Sequence, residues 1–414
     1  MKKPIRTVGI VGSGPSGATL ASLLTMKGVD VTLFDDGRRP DLIVGESLIP
    51  ALVPVLRKLK LEERAAAICR RKPGVTFTFG VNDVVEFDFQ SLAGSPTPTY
   101  AYNAPRPEFD RLFDIRADEL GVKRVRVKAK VERVGTDGIR LADETLAQAP
   151  WLKGQQPDLL VDSTGRNRLF ARTMEIPARV GPRKDVAHFA HFDGFEDNRP
   201  DGQVVIGRLA DGWCWRIPLR DCMSVGVVIN KDAATQLGAT PEERLEAAIA
   251  RDPLLSAAGK NRRRTTEVAT YTNYQLISER GFGPSWVMSG DAFGFVDPML
   301  SPGMYMALHS AELLAERLDD LPGYSRELRR LLQAWMGLIE YFYNGKIFSM
   351  YQSGMFIERK FPGRVTQALH AFSNRTICRM AAGATITSRF GHGMLQFMSG
   401  PAAWKTDPAT LAIR

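Results

Sequence analysis

The stretch TVGIVGSGPSGATLASLL, residues 7–24, reads as a strand, a tight turn and a helix. Val8–Val11 supply the strand, the turn carries Gly12-x-Gly14-x-x-Gly17, and an apolar run follows. Each glycine has its own physical task. Gly12 permits the sharp turn, Gly14 lets a pyrophosphate approach the backbone, and Gly17 lets helix pack closely on strand. The phosphates then meet unpaired N–H groups at the helix N-terminus. A second strand, VDVTLFDD (29–36), follows and ends in Asp35. Asp35 lies close to the spacing of about 20 residues expected of an acid that holds a ribose. The expectation is an α/β chain with a Rossmann-like dinucleotide site.

The remainder of the chain sets bounds on this reading. A length of 414 residues suggests two or three structural units, and 44% hydrophobic with 24% charged residues is ordinary globular composition. The four cysteines (Cys69, Cys214, Cys222, Cys378) have no CxxC spacing, and the five histidines show no metal spacing. Reduced thiols, a cytoplasmic location and no metal are therefore expected. The basic residues before the first apolar run have the outline of a signal peptide, but the glycines and Pro15 break any continuous apolar helix. No apolar run approaches the length of a membrane span. The net charge of +9 is concentrated late, with 12 Lys/Arg against 4 Asp/Glu in residues 321–414. That excess is either a solvated basic face or a docking surface for an acidic protein or a membrane; nucleic-acid motifs are absent.

Two later stretches bear on the nucleotide. LLVDSTGRNR (159–168) is a buried strand leading into Asp162-x-x-Gly165-Arg166. WVMSGDAFGFVDPMLSPGMYMALHSAELLAERL (286–318) is a strand, then Gly290-Asp291, then a loop through Pro298 and Pro302-Gly303 into a helix. Together they resemble the FAD-dependent monooxygenase superfamily with the para-hydroxybenzoate hydroxylase fold. The resemblance implies FAD, with Asp291 on the ribityl chain and Arg106 of APRPEFDRLF (104–113) along the cofactor. It also implies that the helix opening near Gly303 and Met304, after Pro298, points its positive end at the flavin.

WCWRIP (213–218) narrows this further. On a strand, Trp213, Trp215 and Ile217 share one face, with Cys214 and Arg216 turned the other way. The Trp-x-Trp-x-Ile-Pro pattern resembles the flavin-dependent halogenase branch of the superfamily. VGESLIPALVPVLRKL (44–59), with Glu46 and Ser47, resembles that branch's Gly-Glu-Ser segment, which the cofactor meets. KPGVTFTFG (72–80) resembles its Lys-x-Gly-x-Thr-Phe stretch and makes Lys72 the match to an essential lysine. The resemblance implies that FADH2 and O2 convert halide to hypohalous acid, which travels to Lys72. There the lysine acts as a hydrogen-bond donor or as a transient haloamine, and the indoles of Trp213 and Trp215 wall substrate from flavin.

Two positions depart from the branch. Halide is held there by backbone N–H groups at the loop–helix junction, and the match here is Ser301-Pro302-Gly303. Pro302 has no N–H, which leaves Ser301, Gly303, Met304 and the helix dipole for chloride or bromide. Phe79 stands where a tryptophan is usual. An aromatic hydroxylase or oxidase on the same fold therefore stays open beside the halogenase, as does a non-catalytic flavin-binding partner. No second glycine-rich turn provides for a nicotinamide, so either a transient nicotinamide site or a separate flavin reductase supplies the electrons; the resemblance favours the reductase.

The expected architecture is an FAD-binding domain from 1–80, 100–185 and 270–320, with a β-sheet substrate domain from 81–99 and 186–270. A helical C-terminal region, 321–414, closes the substrate site. Ten of the 14 methionines lie between Met288 and Met398. They fill core or line a chamber for an electron-rich aromatic or pyrrole substrate, either free or tethered to an acidic acyl-carrier protein. His188 and His191 are placed on a sheet strand that could line that chamber, and His309 is expected to be packed.

Overall fold

The computed structural model describes residues 4–80, 83–196, 199–209, 211–272, 275–400 and 407–413. Thr7–Val11 is the central strand of a five-stranded sheet. Its neighbours on one side are Leu159–Asp162 and then Trp286–Met288, and on the other Asp30–Phe34 and then Lys123–Val125, all parallel. All but the half-buried, basic edge strand Lys123–Val125 are largely buried and apolar, as a parallel sheet covered on both faces requires. Helix Pro15–Met26 leaves the central strand through the glycine turn, where Gly12 takes a φ of +99°. A Cβ on Gly17 would stand 1.9 Å from the Gly12 carbonyl oxygen, so only glycine fits that crossing. Helix Gly303–Glu316 packs against helix Pro15–Met26, bringing the late segment of the chain onto the first turn.

The second layer is an eight-stranded sheet. Its order runs Arg263–Arg264, Asp185–Asp193, Met223–Asn230, Gly212–Pro218, Val204–Leu209, Gly74–Thr78, Val84–Asp88, and Ala269–Thr272 adds to Asp185–Asp193. The strand Gly74–Thr78 pairs parallel with Val204–Leu209, so a segment N-terminal to residue 80 is built into this sheet. One face carries Trp213, Trp215 and Ile217 into the main core; Cys214 on the other face joins a small core with Val225, Val227, Leu245 and Ile249. The period-two alternation read from WCWRIP is realised as written. Helix Pro241–Arg251, opened by a capping box between Thr240 and Glu243, covers that outer core.

Helices Leu321–Tyr343, Lys346–Lys360, Arg364–Ala381 and Arg389–Met398 close the remaining side. Leu321–Tyr343 is anchored by Tyr324 and Trp335, which are fully buried. Among the described residues no helix is long and apolar enough to cross a membrane.

Candidate active site

The two sheets and helix Gly303–Glu316 enclose a cavity of about 1390 Å3, its open mouth included. Its lining draws on most of the sequence motifs. Gly14 comes from the first turn, Glu46 and Ser47 from the Gly-Glu-Ser segment, Arg106 from the helix that follows, and Asp291, Pro298, Ser301, Gly303 and Met304 from the late loop. Trp213, Trp215 and Ile217 form the wall contributed by the large sheet. Gly12 and Gly17 shape the turn behind Gly14 rather than the cavity surface.

The cavity suits a bulky ligand rich in hydroxyl and phosphate groups. A Cβ on Gly14 or Gly303 would meet nothing within 4 Å, so backbone there is open to a ligand. The Ser163 hydroxyl is buried without a hydrogen-bond partner, and Ser163 lines the cavity, which fits a ligand with polar groups. Burial pushes the Asp291 carboxyl up to about 6, against the pull of Arg166 and Arg106. Hydroxyl donors from a ligand would stabilise its charged form. The side chains of Arg106 and Asp110 form a bidentate pair (2.8 and 3.0 Å), and Arg106 also donates to the Val44 carbonyl at 2.6 Å. Arg106 thereby fixes the segment that carries Glu46.

Asp35 ends the second strand but does not line this cavity. Its carboxylate accepts from Arg39 (3.3 and 3.2 Å) and Arg126 (3.2 Å), and Arg39 reaches across to the Ser13 carbonyl at 2.8 Å. The acid is therefore tied into an ionic cluster beside the glycine turn. Neither arginine was picked out from sequence, because charges beyond a strand end look like solvated surface.

Lys72 occupies a second, smaller chamber with Phe77, Phe87, Phe89, Ile206, Ser301 and Cys378 on its walls. Ile206 and Ser301 line both spaces and separate them; the two tryptophans border only the larger one. Ile206 is the cross-strand partner of Trp215, so it continues the same wall. Lys72 is 1% exposed, while its neighbour Arg71 faces solvent. The alternation of strand Arg70–Lys72, paired with Ala101–Asn103, turns the lysine inward. Its Nζ donates to the Ser47 hydroxyl at 2.7 Å and the Leu48 carbonyl at 2.9 Å. Burial drops its pKa from 10.5 to about 7. A neutral amine has two N–H groups, and both are placed by these bonds, leaving the lone pair.

A buried chain joins the tryptophan wall to the loop before helix Gly303–Glu316. Trp213 Nε1 donates to the Tyr343 hydroxyl (2.9 Å), which donates to Asp297 Oδ2 (2.9 Å); Asp297 Oδ1 accepts from the Met299 N–H (3.0 Å). Arg183 stacks 3.8 Å above the Tyr343 ring. Trp215 is held by the Ser224 hydroxyl at 3.2 Å, and the two indoles lie 5.7 Å apart. Ser301 sits in the left-handed region (φ +57°), and its N–H is engaged by the Pro298 carbonyl at 2.8 Å. The N–H groups left for an anion at this junction are those of the first helical turn, Gly303 and Met304.

His188 and His191 lie on strand Asp185–Asp193, as expected, but neither lines either cavity. His188 bonds Thr270 at 3.0 Å. His191 Nε2 pairs with Glu46 Oε1 at 2.6 Å. Burial disfavours charge on that imidazole, but bonds with Cys222 and Glu46 outweigh it and push it up to about 10. His309 stacks on Tyr305 as packing. Phe79 stacks on Phe348 with rings 4.9 Å apart. Among the described residues no group of three potential metal ligands occurs.

Comparison with known proteins agrees with this geometry. A sequence profile described as tryptophan halogenase matches residues 7–91 and 86–344. The chain is similar to a tryptophan 2-halogenase of Chondromyces crocatus, 32% identical over 328 residues covering 75% of this chain and 60% of the relative. The chain thus spans less than two thirds of that protein's length. It is also similar to a 1H-pyrrole-2-carbonyl-[peptidyl-carrier protein] chlorinase of Pseudomonas fluorescens, 29% identical over 333 residues and covering 73% of each. In fold it resembles the solved flavin-dependent brominase Bmp2, with TM-score 0.75 at 22% identity over 95% of this chain and 97% of that one.

Proposed function

The chain belongs to the tryptophan halogenase family, and from that premise we propose that it is a flavin-dependent halogenase acting on an electron-rich aromatic or pyrrole. The single observation that carries the reading is a desolvated lysine in its own chamber, divided by Ile206 and Ser301 from a cavity that fits FAD. When bound as FADH2, the cofactor supplies with O2 the two-electron oxidation of halide to hypohalous acid.

In this reading the chain's residues divide the work. Gly12, Gly14 and Gly17 admit the pyrophosphate and Asp35 with its arginines borders the ribose end. Glu46, Ser47, Arg106, Asp291, Pro298, Gly303 and Met304 line the path of the cofactor. Halide rests on Ser301 Oγ and the Gly303 and Met304 N–H groups. Trp213 and Trp215, continued by Ile206, exclude the organic substrate from the flavin. Lys72 receives the halogen: its lone pair attacks the halogen of HOX, giving a haloamine and water. The haloamine then transfers the halogen to a ring carbon, and the displaced ring proton restores the amine. The chlorinase similarity supports a substrate presented on an acyl-carrier protein, and a separate reductase delivers the reduced flavin by diffusion. The domain division at 1–80, 100–185 and 270–320 against 81–99 and 186–270 belongs to the same proposal, with Gly74–Thr78 counted to the large sheet.

The test is mass spectrometry after incubation with FAD, a flavin reductase, NADH, air and bromide, using phenols and pyrroles both free and carrier-tethered. A bromine isotope doublet absent in Lys72→Ala is expected. A second reading, an aromatic hydroxylase, is favoured by Pro302 and by the engaged Ser301 N–H, which reduce the donors for halide. Gain of one oxygen without halogen at any bromide level would select it.

A further inference from the structure

Large apolar side chains stand exposed on and between the C-terminal helices, among them Phe361 60%, Val365 81%, Leu369 59%, Phe372 48%, Phe390 66% and Phe397 85%. Val365, Leu369 and Phe372 follow an i, i+4, i+7 pattern on helix Arg364–Ala381, and Phe390 and Phe397 follow i, i+7 on helix Arg389–Met398. Each set shares one helical face. The Phe372 and Phe390 rings lie 6.3 Å apart and join the two stripes. Lys360 Nζ lies 5.5 Å from the Phe361 ring centroid, placing a cation among them. Arg359, Arg364, Arg375 and Arg389 are exposed around the patch. Glu358 is the one acid in the sequence from 346 to 398, and it is paired with His370 at 2.8 Å.

We propose that this face seats the protein on the surface of an anionic phospholipid membrane. Aromatic and aliphatic side chains that protrude between cations match the interfacial layer of such a bilayer, where rings enter the acyl boundary and guanidinium groups meet lipid phosphates. A second copy of the chain fits less well, because a two-fold contact would set this row of cations against itself. An acidic carrier would satisfy the charge but would need apolar pockets matched to each protruding ring. The chain lies on the bilayer, since no described helix is suited to cross it. The other face of helix Arg364–Ala381 gives Cys378 and Ala381 to the Lys72 chamber, so the docked face roofs that space. The proposal does not depend on the halogenation reading, and its test needs no turnover.

The experiment is co-sedimentation of the purified full chain with phosphatidylcholine vesicles, with and without about one quarter phosphatidylglycerol, at about 0.1 M salt. Binding to the anionic vesicles is expected. Phe390→Ser and Phe397→Ser should each weaken it about tenfold, with unchanged melting temperature because both rings are exposed. Arg375→Glu with Arg389→Glu should abolish the preference for anionic lipid. The proposal is overturned if the wild-type chain ignores the vesicles, or if the phenylalanine variants bind as well as it does. It is equally overturned if sedimentation velocity shows a dimer that those variants dissolve. Binding of an acyl-carrier protein, and not of vesicles, that disappears in the same variants would also overturn it.

Discussion

The flavin cavity and the Lys72 chamber lie side by side and solve opposite problems. The larger is lined by open backbone, hydroxyls, arginines, the carboxyls of Glu46 and Asp291 and the tryptophan wall, from several separate segments, and it opens to solvent. The smaller is apolar except for Lys72, the Ser301 hydroxyl and a thiol. A wide site with open backbone, hydroxyls and charged side chains set along an apolar wall can bind an anionic cofactor. A dry, narrow one makes a single amine reactive, because burial lets the lysine shed its proton near neutrality. The comparison teaches that the two sites are separated by chemistry as well as by side-chain bulk.

Removing the lysine should break that contrast most severely. Lys72→Ala is expected to lower product halogenation by at least about a thousandfold while FAD affinity and flavin reoxidation stay near wild type. Flavin titration beside product quantification checks this, and equal loss of both would make the lysine a structural part of the cofactor site.

The chamber's dryness also predicts a pH dependence. Since burial lowers the folded pKa to about 7, ammonium dominates below that pH and amine above it. Halogenation should rise about tenfold per pH unit below 7 and level off above, provided flavin reoxidation is measured alongside. Stability carries the same sign. The unfolded lysine stays protonated up to its ordinary value of 10.5, so the native state bears the full penalty below about pH 7 and loses it as pH climbs toward 10.5. Lys72→Met should therefore gain on wild type in melting temperature at pH 6, with the gain narrowing toward pH 10.

The wall between the spaces is tested by Tyr343→Phe. Losing the hydroxyl leaves the buried Trp213 N–H without its acceptor and takes one donor from Asp297, whose Oδ2 keeps Gln275 at 3.3 Å, at a cost of about 1–3 kcal/mol. Lower thermal stability and fewer halogenations per flavin oxidised are expected, with the excess electrons appearing as peroxide. Unchanged coupling would mean that the indole needs no anchor. The smallest effect belongs to Pro302→Ser, which restores an N–H at the helix start and should lower the bromide KM by a few-fold at constant kcat. A steady-state bromide titration of both forms decides it.

How much of this was visible beforehand depended on whether the signal was local. The glycine turn, the alternating tryptophans and the Gly290-Asp291 loop are read from short-range spacing, and each lies where that spacing puts it. Lys72 sits in the basic trio Arg70-Arg71-Lys72, which by itself reads as a wet surface. Its burial follows from pairing with Ala101–Asn103 and from closure by Cys378, about three hundred positions away. Tyr343 and Asp297 looked like ordinary helix and loop residues. The arginines that cover Asp35 come from separate segments.

By itself, then, the sequence determined the strand–turn–helix chemistry of a nucleotide site, the two-residue periodicity of the tryptophan stripe and the type of each side chain offered to a ligand. Only the tertiary structure decided that Ile206 and Ser301 divide two cavities, that a lysine is desolvated in one of them, and that a tyrosine ties the indole wall to the helix junction. The physical reason is that steric freedom at glycine and alternation along a strand are properties of a few neighbouring residues. Desolvation, by contrast, is a property of everything packed around an atom, and those neighbours are assembled only when distant segments fold together.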